Sequence, residues 1–200
     1  AHHDIDWVYH TVEVKPEGLA DAIRGVRAMG FVGAHVSYPH KEAVLPLLDR
    51  CGEAARFVGA LNVVHREGDA LVGENFEGRG LLATLRGELD PAERRIAILG
   101  AGRAARAAAY ELARLRPAEI VVCGQNVEQA NSLVNSLKTQ FELGAVALPW
   151  EGELELPPEV DLVVHATTQG REDPNARVPV HVESLGRQTL VADMTADPPD

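Results

Sequence analysis

The chain has 200 residues, enough for one large domain or two small ones, and 46% of them are hydrophobic, enough for a sizeable core. Its formal net charge of −11 at pH 7 would repel phosphate backbones and anionic lipids, so we expect no nucleic acid or membrane among its partners. No apolar run approaches the roughly 20 residues of a membrane-spanning helix, and the first residues do not resemble a signal peptide. The cysteines, Cys51 and Cys123, form no CxxC pair, which argues against a disulfide framework or a metal site and favours a cytoplasmic setting.

The first half of the chain mixes strand and helix signals. Residues 5–14 are rich in β-branched and aromatic side chains and predict a strand. Leu19, Ile23 and Val26 recur at helical spacing and predict a helix that ends at Gly30. The pattern then predicts a strand at residues 31–36, a helix at 41–50, a hairpin of residues 61–65 and 70–73, and a helix at 80–87.

The pattern changes at Asp90-Pro91, which predicts a boundary between two domains, residues 1–88 and 92–200. Beyond it, short apolar strands alternate with helices or loops: strands at 96–99, 120–123, 145–148, 162–165 and 190–192, and helices from 103 to about 115 and at 127–141. Such alternation of buried strands and helices predicts a parallel sheet and an α/β fold. Residues 168–179 are the best candidate for a mobile loop.

A glycine-rich turn lies between a predicted strand and a predicted helix, where Gly100, Ala101, Gly102, Arg103 and Ala104 lead into the small residue Ala105. This matches the GxGxx(G/A) phosphate-binding pattern in its required context. The first glycine permits the tight turn, the second lets the backbone approach a pyrophosphate, and the helix N-terminus offers free N–H groups to the anion. The sequence therefore predicts a dinucleotide site here.

The choice between NAD and NADP stays open. An acid that selects NAD, or an arginine that accepts the 2′-phosphate of NADP, is expected after the next strand, where Gly124, Gln125 and Asn126 stand instead. Asn126 either contacts the cofactor or caps the following helix. Arg103 or Arg106 could reach a 2′-phosphate, or each could simply be solvated.

Four segments in a fixed order resemble the shikimate dehydrogenase family, which includes quinate and aminoshikimate dehydrogenases. They are residues 35–41 (HVSYPHK), 59–62 (GALN), 73–80 (GENFEGRG) and the glycine turn at 100–105. The family carries Asn-Val-Thr-x-Pro-x-Lys, Gly-Ala-x-Asn-Thr, Gly-x-Asn-Thr-Asp-Gly and Gly-Ala-Gly-Gly-Ala in the same order. The resemblance covers almost the whole chain.

The resemblance implies a substrate-binding domain, incomplete in this chain, followed by a Rossmann-type NAD(P)-binding domain. It implies reversible NAD(P)-linked oxidation of a hydroxyl on a shikimate- or quinate-like cyclohexane or cyclohexene carboxylate, by a monomer or homodimer. Lys41 matches the catalytic lysine, and Glu77 stands where the family has an aspartate. Asn62 and Ser37 match substrate-binding positions, and His35 replaces an asparagine of the same cleft.

The resemblance also places four later residues beside the cofactor: Ala166, Thr167, Thr168 and Met194. The departures from the family pattern leave two rivals open. One is a relative that binds nucleotide and a small metabolite without turning them over. The other is a dehydrogenase of altered specificity, acting on an amino analogue or another polyol.

Overall fold

The computed structural model describes residues 6–170, 173 and 175–195. These residues form two β-sheets with helices packed between and beside them. Within this part of the chain, no helix combines the length and the apolar composition needed to cross a membrane. Nor do the same residues bring together three or more His, Cys, Asp or Glu side chains in a metal-binding cluster.

The N-terminal sheet has four strands in the order β1-β3-β4-β2. Its elements, in chain order, are α1 (Leu19–Ala28), β1 (Gly33–His35), β2 (Arg50–Cys51), α2 (Glu53–Val58), β3 (Val63–Glu67) and β4 (Ala70–Glu74). Strands β3 and β4 form the predicted hairpin, and Gly68 makes the turn with a φ of 62° that favours glycine. Strand β2 pairs with β4 in parallel, so the sheet is mixed.

The C-terminal sheet has five strands in the order β7-β6-β5-β8-β9, and every neighbouring pair is parallel. Helix α3 (Glu77–Leu85) precedes this sheet. The sheet and its helices are β5 (Arg95–Leu99), α4 (Arg103–Ala113), β6 (Glu119–Gly124), α5 (Val127–Phe141), β7 (Ala145–Pro149), β8 (Leu162–His165) and β9 (Leu190–Asp193). The chain order reverses between β5 and β8, which is where doubly wound sheets open a crevice for ligands.

The largest apolar cluster joins the two halves of the chain. Phe57 of α2 and Leu81 of α3 belong to the same buried cluster as Ile98 of β5 and Leu112 of α4. Helix α4 therefore packs on its own sheet and also supports two helices from the earlier part of the chain. A second cluster around Trp150 covers the opposite face of the C-terminal sheet.

Two predicted elements are wrong. Residues 6–15 form no strand, and Trp7 and Val8 are 69% and 79% exposed; Ile5 lies outside the described residues. A β-rich composition forms a strand only where a neighbouring strand accepts its backbone hydrogen bonds. The predicted helix at 41–50 is replaced by turns, a short 3₁₀ helix (Leu45–Leu47) and β2, because Pro46 lacks the N–H that a helix interior needs.

The other predicted helices and strands are confirmed, with small shifts at their ends. Helix α5 has the predicted bounds, and α3 begins at Glu77, three residues earlier than the pattern indicated. The short helix α2 was not predicted at all. Residues 171, 172 and 174 of the loop predicted to be mobile lie outside the described residues.

Candidate active site

Lys41 and Glu77 form an ion pair in the N-terminal half of the molecule. Their Nζ and Oε1 atoms are 2.5 Å apart, and the two side chains are 35% and 24% exposed. The carbonyl oxygen of Lys41 accepts a hydrogen bond of 2.8 Å from the backbone of Leu61, which fixes its segment beside β3. Glu77 is the first residue of α3. The additional methylene of glutamate, compared with aspartate, therefore still permits direct contact with the lysine.

Two asparagines hold the segment that leads into α3. Asn62 accepts a hydrogen bond from the backbone of Phe76 at 3.0 Å through its side-chain oxygen. Asn75, only 3% exposed, donates to the carbonyl of Ala60 at 3.1 Å and accepts from the backbone of Glu77 at 3.1 Å. Asn75 was not singled out from the sequence, although an asparagine just before a helix is a common capping signal.

His35 is the last residue of β1, and Ser37 follows two residues later. The backbone N–H of Val36, between them, donates to the carbonyl of Asn62 at 2.8 Å. Both side chains are exposed. The backbone that carries His35 and Ser37 is thus adjacent to Asn62, and their role in substrate binding stays a prediction.

The glycine turn follows β5 and opens into a cavity of about 410 Å³. Gly100 adopts a φ of 108°, and a side chain there would place Cβ 2.9 Å from the carbonyl oxygen of Ala166. Gly102 stands at the N-terminus of α4, where an added Cβ would meet only open space, so the backbone is accessible to a ligand. The cavity is lined by Gly100, Ala101, Gly102, Gln125, Asn126, Gln129, Trp150, Ala166, Thr167, Thr168 and Gln169.

Four residues of the predicted cofactor set do not line this cavity, and one of them, Arg103, lines an adjoining cavity instead. Gly124 is buried against Ala130 of α5, and Ala104 and Met194 pack partly buried against the main core. Of the two roles predicted for Asn126, the structure shows helix capping: its side-chain oxygen accepts a hydrogen bond from the backbone of Gln129 at 3.0 Å. Asn126 also lines the cavity, so cofactor contact stays a prediction.

His165 connects the ends of two strands with the lining of the cavity. Its Nδ1 lies 2.9 Å from Asp193 Oδ1, and its Nε2 lies 2.7 Å from the Thr167 hydroxyl. Desolvation alone would raise the pKa of Asp193, but hydrogen bonds from Thr195 and the His165 ring leave that pKa below its usual value. The family resemblance indicates Ala166, Thr167 and Thr168 but not this network, which needs the pairing of β8 with β9.

The arginines near the glycine turn have different partners. Arg106 donates two hydrogen bonds, of 3.2 and 3.0 Å, to the carbonyl of Phe57. Arg103 forms an ion pair with Glu42, the residue after Lys41. The segment that carries Lys41 thus contacts the first residue of α4, next to the glycine turn. Arg79, two residues after Glu77, pairs with the buried Glu111 of α4 at 3.4 Å.

Comparison with known proteins gives consistent matches. A family model described as the shikimate dehydrogenase substrate-binding domain matches residues 1–64. The chain is 41% identical to the shikimate dehydrogenase (NADP(+)) of Geobacter metallireducens over 174 residues, covering 83% of the chain and 60% of that enzyme. It is 35% identical to the enzyme of the same name from a Geobacillus species over 192 residues, covering 95% of the chain and 69% of the relative.

Solved structures show the same relationship. The 5-ketofructose reductase of a Gluconobacter strain superposes with a TM-score of 0.92 at 41% identity, covering 97% of this chain and 70% of that one. A shikimate dehydrogenase in complex with NADP+ superposes with a TM-score of 0.83 at 30% identity, covering 96% and 67%. The chain spans about 60 to 70% of the length of these relatives. It belongs to the shikimate dehydrogenase family.

Proposed function

We propose that the protein is an NAD(P)-linked oxidoreductase that interconverts a secondary alcohol and a ketone. The first candidate substrate pair is shikimate and 3-dehydroshikimate, or a close quinate or aminoshikimate analogue. The observation that carries the proposal is the contact of 2.5 Å between Lys41 and Glu77, on a segment that also touches the glycine turn through Glu42 and Arg103. The NADP-dependent shikimate dehydrogenases among its relatives support the same activity.

Lys41 is the acid or base for the substrate oxygen. When bound, the nicotinamide cofactor supplies the hydride chemistry, and a protein group must take the hydroxyl proton or return it. A positioned acid or base contributes about 10²- to 10⁴-fold to the rate. Glu77, as the hydrogen-bond acceptor of the Lys41 amine, holds it in one direction.

The other roles follow from position. Ser37, His35 and Asn62 contact the substrate, and since the Asn62 side-chain oxygen already accepts from Phe76, Asn62 acts toward the ligand as a donor through its amide N–H groups. The glycine turn, Gln125 and residues 166–168 hold the cofactor. We place the domain boundary between residues 88 and 92, which is supported by the separation of the two sheets. A cytoplasmic location and a monomer or homodimer stay predictions.

A second candidate function is the reduction of a ketone on a sugar-like polyhydroxy compound to the corresponding alcohol. The observation that favours it is the superposition with the 5-ketofructose reductase, whose TM-score of 0.92 exceeds the 0.83 of the shikimate dehydrogenase structure. His35, Ser37 and Glu77 differ from the residues that the family carries at the same positions, and all three lie in the substrate region. Assays of shikimate, quinate and fructose, each with NAD and with NADP, separate the two candidates.

The role of Lys41 is tested by the Lys41→Ala substitution. We expect turnover of the best substrate to fall by about 10²- to 10⁴-fold, because the acid or base is lost. Lys138→Ala, at an exposed lysine in the last turn of α5, is the matched control and should retain full activity. Turnover of the Lys41 variant within a factor of a few of the parent would exclude lysine from the mechanism. Calorimetric binding of cofactor and substrate by the parent, without any turnover, would instead favour the non-catalytic rival.

A further inference from the structure

The cavity at the glycine turn, called the nucleotide cavity below, has no charged side chain in its described lining that could distinguish NADP from NAD. Among the described residues that line it, none is acidic or basic, and Gln125 and Asn126 occupy the turn after β6. An acid near this turn would hydrogen-bond the ribose of NAD, whereas NADP needs a nearby arginine for its 2′-phosphate. A charged side chain that selects NADP or NAD must therefore lie outside this cavity.

A second cavity, of about 480 Å³, adjoins the first at the glycine turn. The two share Ala101, Gly102 and Gln129 in their linings. The second also contains two arginines, Arg103 and Arg106, and two carboxylates, Glu42 and Glu128. The side chains that could recognise a phosphate are thus adjacent to the nucleotide cavity.

Of the two arginines, Arg106 already binds a backbone carbonyl of α2. Its Nε and Nη2 atoms both donate to the carbonyl of Phe57, and its guanidinium lies 5.1 Å from the centre of the Phe57 ring. Moving it toward a ligand would leave that carbonyl without its donors, which is costly for a group that is half-buried.

Arg103 is free to exchange its partner. Its side chain is 53% exposed, and the Glu42 side chain with which it pairs is 51% exposed, so the ion pair between them is weak. A phosphate carries nearly two negative charges at neutral pH and accepts the guanidinium fork in a bidentate manner. Such a ligand competes well against a single exposed carboxylate.

We propose that Arg103 binds the 2′-phosphate of NADP and thereby selects NADP over NAD, while Glu42 holds the guanidinium when no ligand is bound. This inference rests on the proposed nucleotide-linked function and names the cofactor that it uses. Glu128, exposed in the first turn of α5, opposes binding by charge repulsion, so the selectivity that Arg103 provides is moderate.

The test measures the binding of two fragments, 2′,5′-ADP and 5′-AMP, by calorimetry without turnover. The two ligands differ only in the 2′-phosphate, so the ratio of their affinities reports its recognition. We expect the parent protein to prefer 2′,5′-ADP, and Arg103→Gln to weaken 2′,5′-ADP by about 10-fold, since charge-assisted hydrogen bonds are lost. The affinity for 5′-AMP should change by less than twofold, which also shows that the variant is folded.

Two further variants sharpen the result. Glu42→Gln removes the competing carboxylate and should tighten 2′,5′-ADP several-fold without affecting 5′-AMP. Arg24→Gln removes an arginine of another exposed ion pair, with Asp21 in α1, and should leave both affinities unchanged.

The outcomes separate this inference from the proposed function. An equal loss of both ligands in Arg103→Gln would place Arg103 at the 5′-phosphate and overturn the inference, as would no loss of either. Neither of those results contradicts the redox role of Lys41. Failure of the parent protein to bind either fragment would overturn the nucleotide site itself, and the proposed function with it.

Discussion

At the scale of single residues, the candidate site is held together by side chains that bind backbone groups. Asn62 and Asn75 both accept from N–H groups at the start of α3 and so fix where Glu77 begins that helix. The sequence could identify Lys41 and Glu77 as partners only through resemblance. Whether a glutamate reaches the lysine depends on the backbone path of residues 60–77, which spacing along the chain does not determine.

Asp49 illustrates how a single carboxylate can connect three elements. Its Oδ2 accepts from the backbone of Leu71 in β4 and from Arg27 in α1, each at 2.7 Å. The hydrogen bond from Leu71, followed by that from Arg27, lowers the pKa of Asp49 below its usual value. Because the folded state favours the charged form, this stabilisation is present above the unfolded pKa of about 4 and is lost as the pH falls below it.

We therefore expect Asp49→Asn to lower the free energy of unfolding at pH 7 and to matter less at pH 3. Urea titrations at both pH values measure the difference between parent and variant. Asp69→Asn, an exposed acid on the hairpin turn, is the control and should unfold like the parent at both. A difference between the Asp49 variant and the parent that grows on acidification would contradict this account.

At the scale of elements, the parallel sheet could be predicted because its buried strands are continuous apolar runs bounded by helices. The N-terminal sheet was harder to predict. Its strand β2 has two residues, and α2 has six, too few for a periodic pattern. The apolar residues between Lys41 and Arg50 have helical spacing, yet Pro46 breaks the helix that they suggest.

Helix α3 packs directly against α4 at Gly78. A Cβ at this position would collide with the carbonyl oxygen of Ala107 and lie 2.8 Å from Cγ of Glu111. We expect Gly78→Ala to cost about 1–3 kcal/mol in the free energy of unfolding, because two packed helices must separate. Equilibrium denaturation in urea measures the change.

Gly80 provides the matched control on the same helix. It is exposed, and an added Cβ would meet nothing within 4 Å. Gly80→Ala should therefore stabilise the protein by up to about 1 kcal/mol through the better helix propensity of alanine. Equal effects of the two substitutions would show that contact with Ala107 does not limit the packing.

At the scale of the whole molecule, the two halves share one core. The Phe57 ring lies 5.3 Å from Tyr110 and 6.0 Å from Phe141, so an aromatic side chain of α2 packs against helices of the C-terminal half. The change of pattern near Asp90 indicated two units, but nothing in the sequence shows that their apolar surfaces merge. That merging depends on contacts between residues about 50 to 80 positions apart.

We expect the described core to unfold in a single transition. Far-UV circular dichroism and tryptophan fluorescence should give coincident curves, and Phe57→Ala should cost about 3–5 kcal/mol through the cavity it leaves. Phe31→Ala, at a ring that is 42% exposed, should cost much less. Two separate transitions in the parent protein would contradict the shared core.

The position of α4 has a consequence for redesigning cofactor preference. Its first turn borders the cavities at the glycine turn, while its middle packs against Gly78, one residue from the carboxylate partner of Lys41. Because α4 contacts α3 directly at Gly78, a tilt of α4 caused by mutating its first turn would displace Glu77 as well. Variants that exchange NADP for NAD should consequently be screened for the distance between lysine and glutamate, and not for dinucleotide affinity alone.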